Sequence, residues 1–316
     1  MSFGKTAVVA LGGNAISPKG EPDTIANQFR HTRESLAAIM HLVNEHYQLA
    51  ITHGNGPQVG NALFRVELAR GKAPILPLGV CVADTQGGMG YMIEQSLQNR
   101  LRQQNIDRQV VTIVTQVIVD SNDPSIQNPT KFIGQFYEES EAKQLAVQND
   151  WTVKYDSGHQ SWRRVVPSPK PQEIINWKPI RQLVEAGTMV IASGGGGIPV
   201  YIDENGDYEG VDAVIDKDRA AAILARDISA SELFIITDVP EVYLDYGKAT
   251  QRPLREIHLA EVKTLYSEEQ FPPGSMGPKI EAAIAFLDQG GERVIITSIE
   301  HLAETLTGDR GTVIFP

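Results

Sequence analysis

Two lysines stand at the start of predicted helices, where a positive charge is unfavourable. Lys217 lies in "VIDKDRAAAILA" and Lys279 in "GSMGPKIEAAIAFL", and both fall in the first helical turn. The helix dipole disfavours a cation there by about 0.3–1 kcal/mol, a cost that an anionic ligand would offset. Asp216 and Asp218 flank Lys217, so local pairing is the alternative for that lysine, and a solvated side chain is the alternative for Lys279. The pattern favours two cations that face a phosphate-like ligand.

Glycine-rich turns follow three short apolar runs and offer a second set of anion ligands. "TAVVAL" (6–11) runs into "GGNAI", "YQLAIT" (47–52) into "HGNGPQVG", and "TMVIA" (188–192) into "SGGGGIP". Glycine costs about 0.5–1 kcal/mol relative to alanine, so four in a row indicate that a ligand approaches the bare backbone. A flexible surface loop is the alternative. Backbone N–H groups in such turns bind phosphate.

The elements that must position these residues alternate between strands and helices. Two further apolar runs, "LFIIT" (233–237) and "RVIIT" (293–297), end in the polar turns "DVPE" and "SIEH". The intervening segments carry apolar residues at helical spacing, as in 36–47 and 89–97. This alternation predicts a mainly parallel sheet covered by helices on both faces. Ligands of such sheets bind at the carboxyl ends of the strands, where all of these turns lie, so we expect one shared site.

Composition and charge exclude several classes of protein. The chain has 316 residues, a formal net charge of -11 and no basic stripe, which argues against nucleic-acid binding. The single Cys81 permits no intramolecular disulfide and fits a reducing cytoplasm. No apolar run approaches the roughly 20 residues that a membrane-spanning helix needs. We therefore expect a cytoplasmic protein with neither a nucleic-acid nor a membrane partner.

Standard nucleotide and metal motifs are absent from the sequence. It contains no G-x-x-x-x-G-K-[ST] and so predicts no P-loop. "GNGPQVG" fits only a loosened dinucleotide fingerprint without the acidic residue that should follow, which leaves a Rossmann oxidoreductase as an alternative that nicotinamide binding would reveal. No cluster of His, Cys, Asp or Glu has metal-ligand spacing, so we predict no metal ligands among the residues.

The strand–helix alternation lapses between Asp120 and Gln172. Prolines accumulate there, and "WTVKYD" and "WRRVVP" flank the turn-like "SGHQS". This pattern predicts an inserted subdomain that contains a β-hairpin. Its role, as decoration or as part of the site, stays open at this point.

Nine blocks of the sequence resemble, in order and spacing, those of the carbamate kinases in the amino-acid-kinase superfamily. The blocks span essentially the whole chain: "VVALGGNAI", "HGNGPQVG", "TQGGMGYMIEQ", "NPTKFIGQFY", "WRRVVPSPKP", "SGGGGIPV", "GVDAVIDKD", "TDV" and "GSMGPK". The resemblance implies a three-layer αβα sandwich with a small protruding subdomain. It also implies an acceptor lobe (1–119), a lid subdomain (120–172), a nucleotide lobe (173–316) and a homodimer, for which the apolar stripes at 36–47 and 89–97 are candidate contacts.

The implied reaction is reversible phosphoryl transfer between ATP and carbamate, with Mg²⁺ accompanying the nucleotide and ATP synthesis as the expected direction. Carbamate is already an oxyanion, so no general base is needed and His53 is expected to be structural or to shape the substrate site. The family assigns three sets of positions in this chain. The expected catalytic residues are Lys131, Lys217, Lys279, Asp216 and Asp218, one of the two aspartates orienting the lysines. The expected substrate ligands are Gly12, Gly13, Asn14, Gly54, Asn55 and Gly56. The expected nucleotide contacts are Gly195, Gly196, Thr237, Asp238, Val239, Tyr243, Met276 and Gly277.

The first glycine turn departs from the pattern of relatives that act on N-acetylglutamate, aspartate or UMP. Those relatives usually carry a lysine two residues before the first Gly-Gly, where this chain has Ala10. The difference favours carbamate, and a cation needed there must come from elsewhere; the resemblance points to Lys131. Two alternatives remain, namely a kinase of another small acid and a nucleotide-binding relative that has lost catalysis.

Overall fold

The apolar runs of the sequence form strands, and short additional strands lie between them. The computed structural model describes residues 4–17, 21–22, 24–272 and 275–316. In chain order its strands are β1 (Thr6–Leu11), β2 (Gln48–His53), β3 (Val110–Thr112), β4 (Gln116–Val119), β5 (Lys131–Tyr137), β6 (Thr152–Asp156), β7 (Ser161–Val166), β8 (Pro171–Ile174), β9 (Met189–Ile191), β10 (Ile198–Ile202), β11 (Tyr208–Gly210), β12 (Glu232–Thr237), β13 (Val242–Leu244), β14 (Arg252–Leu254), β15 (Glu256–His258), β16 (Arg293–Ser298) and β17 (Thr312–Phe315).

The segments with helical spacing form the helices. In chain order they are α1 (Ile25–Asn44), α2 (Gly56–Leu68), α3 (Leu78–Gln103), α4 (Pro124–Gln127), α5 (Glu139–Asn149), α6 (Trp177–Glu185), α7 (Lys217–Asp227), α8 (Leu259–Ser267), α9 (Met276–Asp288) and α10 (Leu302–Leu306). Within the described ranges, no helix is both long enough and apolar enough to cross a bilayer.

The five predicted strands lie side by side in one eight-stranded sheet. Its order is β15-β17-β16-β12-β1-β2-β9-β3, and all neighbours pair in parallel except β16 with β17. Strand β9 follows the insertion in sequence yet lies between β2 and β3. The central sheet therefore joins segments from both sides of the insertion, and the carboxyl ends of β1, β2, β9, β12 and β16 share one edge.

Alternate residues of the central strands enter two separate hydrophobic cores. In β1, Ala7, Val9 and Leu11 pack in the core that α1 and α3 cover. Val8 and Ala10 pack in the core that α6, α7 and α9 cover. Because successive side chains of a strand point to opposite faces, helices must cover both faces of this sheet. The predicted αβα sandwich is thereby confirmed.

The insertion has its own antiparallel sheet, in the order β5-β7-β6. The predicted hairpin is formed by β6 and β7, with Asp156 opposite Ser161. Strand β5 runs close to α2, since a Cβ atom at Gly60 would lie 3.5 Å from the Cα of Gly134. This contact sets the start of β5, which is Lys131, beside the N-terminal part of the fold.

The two apolar stripes that we considered as dimer contacts are core residues of the single chain. Leu36 and Ile39 of α1 and Ile93 and Leu97 of α3 are all 0% exposed, and they pack together beneath the sheet. These apolar side chains are buried within the single chain, so they give the dimer prediction no support.

A fully buried carboxylate lies at the amino edge of the sheet, opposite the glycine turns. Glu232, the first residue of β12, accepts hydrogen bonds from Lys5 Nζ at 2.7 Å, from Tyr47 Oη at 2.9 Å and from Arg293 Nη2 at 2.9 Å to each oxygen. Burial acts to raise the pKa of Glu232, but the hydrogen bonds from Lys5, Arg293 and Tyr47 outweigh it and hold the pKa below its ordinary value. The cluster joins the starts of β1, β2, β12 and β16.

We expect Glu232→Gln to lower the free energy of unfolding by about 2–4 kcal/mol, because the substitution removes a buried negative charge that is paired with Lys5 and Arg293. Urea unfolding measures it, with Glu292→Gln as the control, since Glu292 is an exposed partner of Lys5 at 3.7 Å. The lowered pKa means that the stabilisation is complete above the unfolded value of 4.5 and is lost as the pH falls through the folded pKa. The difference in the free energy of unfolding between wild type and Glu232→Gln should therefore become smaller below about pH 4.5. A difference that is constant from pH 7 to pH 3 would contradict this.

Candidate active site

Helix α7 begins where its sequence provides an aspartate cap followed by strong helix formers. The Asp216 side chain caps the helix, and its Oδ1 accepts from the backbone N–H groups of Asp218 at 3.0 Å and Arg219 at 3.3 Å. Residues 220–222 are three alanines, the best helix formers. Lys217 is thus the first helical residue, as predicted, and the cap fixes the direction in which the helix starts.

Asp218 brings the two predicted lysines together. Its Oδ1 accepts from Lys217 Nζ at 2.5 Å and its Oδ2 from Lys279 Nζ at 3.2 Å. The Asp218 side chain is 5% exposed, and the lysine side chains are 13% and 17% exposed. The pair that sequence reasoning allowed as an alternative, Lys217 with a neighbouring aspartate, therefore exists, but it includes a second lysine from α9, 61 residues further along the chain.

The electrostatics of this cluster keep Asp218 ionised. Burial acts to raise the pKa of Asp218, but the charges of Lys217 and Lys279 and their hydrogen bonds hold that pKa below its ordinary value. One buried negative charge faces two positive charges, so the cluster carries a net positive charge that an anion can use.

Lys131 approaches the same helix start from the insertion. Its Nζ donates to Asp216 Oδ2 at 3.3 Å, while Asp216 Oδ1 caps α7. The Lys131 side chain is 45% exposed. The structure therefore gathers Lys131, Lys217 and Lys279 around Asp216 and Asp218, although the sequence scatters them over about 150 residues.

The two N-terminal glycine turns lie against each other and against this cluster. A Cβ atom at Gly54 would lie 3.2 Å from the backbone N of Gly13 and 3.8 Å from Cδ of Lys217. A Cβ atom at Gly12 would lie 2.9 Å from the carbonyl oxygen of Ile236, at the end of β12. Added Cβ atoms at Gly13 and Gly56 would meet no atom within 4 Å, so these two positions border open space. Asn14 belongs to the first turn, but its side chain is outside the part that the structure describes.

The four-glycine run packs beneath the second turn and away from the cavity wall. All four glycines are buried. A Cβ atom at Gly194 would lie 2.3 Å from His53 Nε2, one at Gly195 would lie 2.1 Å from Asn55 Nδ2, and one at Gly196 would lie 2.6 Å from the carbonyl oxygen of Ile215. Gly195 and Gly196 also have positive φ angles of 64° and 94°. The close approach that the run predicted is therefore made by other parts of this chain, and nucleotide contact by Gly195 and Gly196 stays a prediction.

Sequence reasoning missed a buried polar network that supports these turns. Asn55 Nδ2 donates to Thr85 Oγ1 at 2.9 Å. Gln86 bonds twice to the backbone of Thr115, with Nε2 donating at 3.1 Å and Oε1 accepting at 2.9 Å, and Thr115 Oγ1 accepts from Ser193 N at 3.1 Å. A signal was present, because Thr85 and Gln86 are polar residues on the same face of α3 as the buried Val82 and Met89.

His53 ends β2 inside this network and is 1% exposed. Burial lowers the pKa of His53 to about 4, and the nearby charge of Lys217 acts in the same direction, while a hydrogen bond with the Gly54 carbonyl opposes it. The imidazole is therefore neutral at pH 7. It fits the structural role that we expected and packs against Gly194.

A cavity of about 1160 Å³ opens at the carboxyl ends of β1, β12 and β16. Its wall includes nine of the predicted residues: Gly12, Gly13, Lys217, Lys279, Thr237, Asp238, Val239, Tyr243 and Met276. Its wall also includes residues that the sequence did not suggest, among them Tyr246, Phe271 and Ser275, and a face of α1 with His31, Glu34 and His41.

Gly277 lies behind the cavity wall. Its N–H donates to the Pro272 carbonyl at 2.8 Å, and a Cβ atom there would lie 3.0 Å from that same oxygen. The glycine therefore allows the turn before α9 to close, which sets the position of Lys279. Nucleotide contact by Gly277 stays a prediction.

Gly195→Ala should lower the free energy of unfolding more than Gly71→Ala does. Both substitutions strain the backbone, but only the one at Gly195 also creates a clash. Gly71 has a positive φ of 75° and no atom within 4 Å of an added Cβ, so Gly71→Ala should cost only strain, about 1 kcal/mol. At Gly195 the clash with Asn55 adds about 1–3 kcal/mol. Urea unfolding of both variants measures the difference; equal losses would show that the contact between the two turns is loose.

The comparisons with known proteins agree with this geometry. The chain matches the model of the amino acid kinase family over residues 5–298. It is 46% identical to a carbamate kinase of Pyrococcus furiosus, over 99% of this chain and 100% of that one, and 46% identical to the carbamate kinase-like protein YahI of Escherichia coli, over 96% and 97%. The structure of a carbamate kinase from Giardia lamblia bound to AMP-PNP is similar with a TM-score of 0.93 and 41% identity, covering 100% of this chain and 99% of that one. The chain therefore belongs to the amino acid kinase family.

Proposed function

We propose that this protein is a carbamate kinase, which transfers a phosphoryl group reversibly between ATP and carbamate and works in the direction of ATP synthesis from carbamoyl phosphate. The observation that carries the proposal is the convergence of three lysines, Lys131, Lys217 and Lys279, beside two paired glycine turns at one end of a large cavity. The similarity to carbamate kinases over the full chain supports the choice of acceptor.

Phosphoryl transfer needs positioning and charge stabilisation more than covalent chemistry from the protein. Carbamate carries its own negative charge, so the attacking oxygen needs no base. The neutral, buried His53 is consistent with this requirement. We assign Gly12, Gly13, Gly54 and Gly56, with Asn14 and Asn55, to the carbamate and to the transferred group. Asn55 is already oriented, because its amide donates to Thr85.

The lysines supply the positive charge that stabilises the phosphoryl group during its transfer. Asp218 holds Lys217 and Lys279 on its two oxygens, so the ammonium groups keep their positions when the ligand is absent. Fixed charges in a site of low water content cost no reorganisation during reaction, which is why they are effective. Ala10 leaves the first turn without a cation, and Lys131 is the third one that we assign to the transferred group. Asp216 positions Lys131, and Asp218 positions the other two.

We place the nucleotide in the cavity. Five predicted nucleotide contacts line it together with Lys217 and Lys279: Thr237, Asp238, Val239, Tyr243 and Met276. This wall suits a base and ribose with the phosphates directed at the lysines. A cavity of this size is ample for a nucleotide. The Giardia lamblia relative, whose structure holds the nucleotide analogue AMP-PNP, supports this placement.

A magnesium ion bound with the nucleotide fits the residues present. Within the described ranges, no group of three or more His, Cys, Asp or Glu is arranged to hold a metal, and both oxygens of Asp218 are occupied by lysines. Mg²⁺ commonly binds through substrate phosphates, waters and only one or two carboxylates. Asp238, whose Oδ1 accepts from Thr237 Oγ1 at 3.1 Å, lies in the cavity wall and would be one such carboxylate. When bound, the ion would neutralise charge on the phosphate oxygens.

We also propose the lobe division at 1–119, 120–172 and 173–316, a homodimer and a cytoplasmic location. The single cysteine, which permits no intramolecular disulfide, supports the location. The resemblance supports the dimer, and exposed apolar side chains of α2 and the segment after it, such as Leu68 and Ile75, are better candidates for the contact than the buried stripes. Light scattering measures the mass in solution directly.

The decisive assay mixes the purified protein with ADP, Mg²⁺ and carbamoyl phosphate and follows ATP formation. We expect rapid synthesis that requires Mg²⁺. With ATP as donor, N-acetylglutamate, aspartate and UMP should not be phosphorylated. Turnover of any of these three without turnover of carbamoyl phosphate would overturn the assignment, and nicotinamide binding would revive the oxidoreductase alternative. Binding of ADP without turnover would identify a silent relative.

The variant Lys131→Ala tests whether the insertion contributes to catalysis. If Lys131 contacts the phosphoryl group chiefly in the transition state, kcat should fall by roughly 10²–10³ while ADP affinity changes little. The control is Lys143→Ala, in α5 of the same insertion, because Lys143 is 61% exposed and its partners lie within the insertion, namely Glu139 at 2.5 Å and the Trp162 ring, whose centroid is 5.5 Å from Nζ. Its kcat should change less than about twofold. Near-wild-type turnover in both variants would remove Lys131 from the mechanism.

A further inference from the structure

Another buried carboxylate follows β12, at the edge where the cavity opens. Glu241, the last residue of the "DVPE" turn, is 1% exposed. Its Oε1 pairs with Arg255 Nη2 at 3.3 Å and with Arg310 Nη1 at 3.3 Å. Its Oε2 accepts from Tyr243 Oη at 2.8 Å. A buried carboxylate is costly unless it is fully paired, so this position needs an explanation.

The Tyr243 side chain connects this carboxylate to the cavity. Its ring lines the cavity wall, and its centroid lies 6.1 Å from that of Tyr246, with the planes at 49°. The phenol oxygen donates its proton to Glu241, so this hydrogen bond limits rotation of the Tyr243 side chain. Burial and the adjacent Glu241 charge raise the pKa of Tyr243, so the phenol stays protonated and keeps this hydrogen bond at neutral pH.

The arginines fix Glu241 from two other parts of the chain. Arg255 follows β14, which pairs with β13, and it also donates to the backbone carbonyl of Asp309. Arg310 precedes β17. The backbone of Val242 is tied to the same region, because its N–H donates to Thr312 Oγ1 at 2.8 Å. Three segments that are distant in sequence therefore converge on one carboxylate, which in turn holds one tyrosine.

The cluster around Glu232 has the same composition but lies at the other end of β12. Glu232 too is a buried carboxylate with a tyrosine hydroxyl and two cations as partners, but it lies at the amino edge of the same strand and its tyrosine, Tyr47, packs edge-on against Phe234 in the core. The two clusters have the same chemistry at opposite ends of β12. They differ in that Tyr243 faces the cavity, whereas Tyr47 does not.

We infer that Glu241 is a positioning residue for nucleotide binding: with Arg255 and Arg310 it holds the Tyr243 ring in place, so that the ring forms a rigid part of the surface that receives the nucleotide. The inference rests on the proposed function, because it takes the cavity ligand to be a nucleotide. A ring that is already immobile loses no rotamer freedom on binding, whereas ordering a mobile side chain weakens binding. Glu241 touches no substrate and acts only through the tyrosine.

The test compares Glu241→Gln with the matched variant Glu232→Gln in the full-length protein. ADP affinity is measured by calorimetry, and KM and kcat are measured in the ATP-synthesis assay. We expect Glu241→Gln to raise both the Kd and the KM for ADP about fivefold and to leave kcat within about twofold. Glu232→Gln should be destabilised as well, yet its Kd and KM for ADP should match those of the wild type. Loss of stability alone therefore cannot produce the expected pattern.

A third variant, Tyr243→Phe, tests the hydrogen bond from the tyrosine side. It removes the hydroxyl but keeps the carboxylate with both arginines, and it should weaken ADP binding about threefold. In the double variant with Glu241→Gln, the loss should be no larger than that of Glu241→Gln alone, because both act on one ring.

Additive losses in the double variant would overturn the inference. So would an ADP Kd within twofold of wild type for Glu241→Gln, or an equal loss of affinity in Glu232→Gln. If Glu241→Gln does not fold, Tyr243→Phe decides alone, and unchanged ADP affinity would overturn the inference. Failure of the wild type to bind ADP would instead refute the proposed function, and the inference with it.

Discussion

A single buried carboxylate, Asp218, fixes the geometry on which the site depends. Two ammonium groups that face a common phosphate repel each other, and the repulsion is stronger where water is scarce. Asp218 resolves this conflict by giving one oxygen to Lys217 and the other to Lys279. The distance between the lysines is then set by the width of a carboxylate and not by the ligand. Each lysine comes from a different helix start, so the carboxylate also joins α7 to α9.

The glycine turns obey a related constraint, which is the close approach of backbone to backbone. The first turn touches the end of β12, the second touches the first, and the four-glycine run lies under the second. The contacts at Gly12 and in the four-glycine run are too short for a Cβ atom, and the contact at Gly54 leaves little room for one. This arrangement places the backbone of Gly13 and the side chain of Lys217 within 4 Å of the position that a Cβ atom of Gly54 would occupy. The acceptor turns and the lysines are thus positioned against one another by the same packing, and a shift in one displaces the other.

Much of the fold could be predicted because its signals are local. Apolar runs of five or six residues, such as 6–11 and 293–297, became adjacent parallel strands, and the aspartate before Lys217 marked a helix start. The resemblance to a family motif singled out Lys131, and the structure places this residue beside Asp216, while its contact with the transferred group stays a prediction. The contact partners of individual residues could not be predicted in the same way, because these contacts join segments that are distant in sequence. Nothing near Glu241 in sequence indicates Arg310, and nothing in "SGGGG" indicates Asn55 as its neighbour. The apolar stripe of α1 had the right period but could not reveal which surface would cover it.

The three lysines differ in how firmly the chain holds them, and the difference suits their places in the fold. Lys217 and Lys279 share a buried anion, so their charge is held in place whether or not a ligand is bound. Lys131 is 45% exposed and makes a longer contact, 3.3 Å, with a carboxylate that is also engaged in capping α7. Exposed pairs of this kind contribute about 0–1 kcal/mol, so the contact is easily exchanged for another anion. Lys131 also begins β5, in a subdomain with a sheet of its own. In the proposed mechanism, a weakly held cation on a separate subdomain leaves Asp216 for the phosphoryl group without disturbing the buried pair, and it returns when the product leaves. The proposed site thus combines a fixed pair of lysines, which defines where the phosphates lie, with an exchangeable lysine on the insertion.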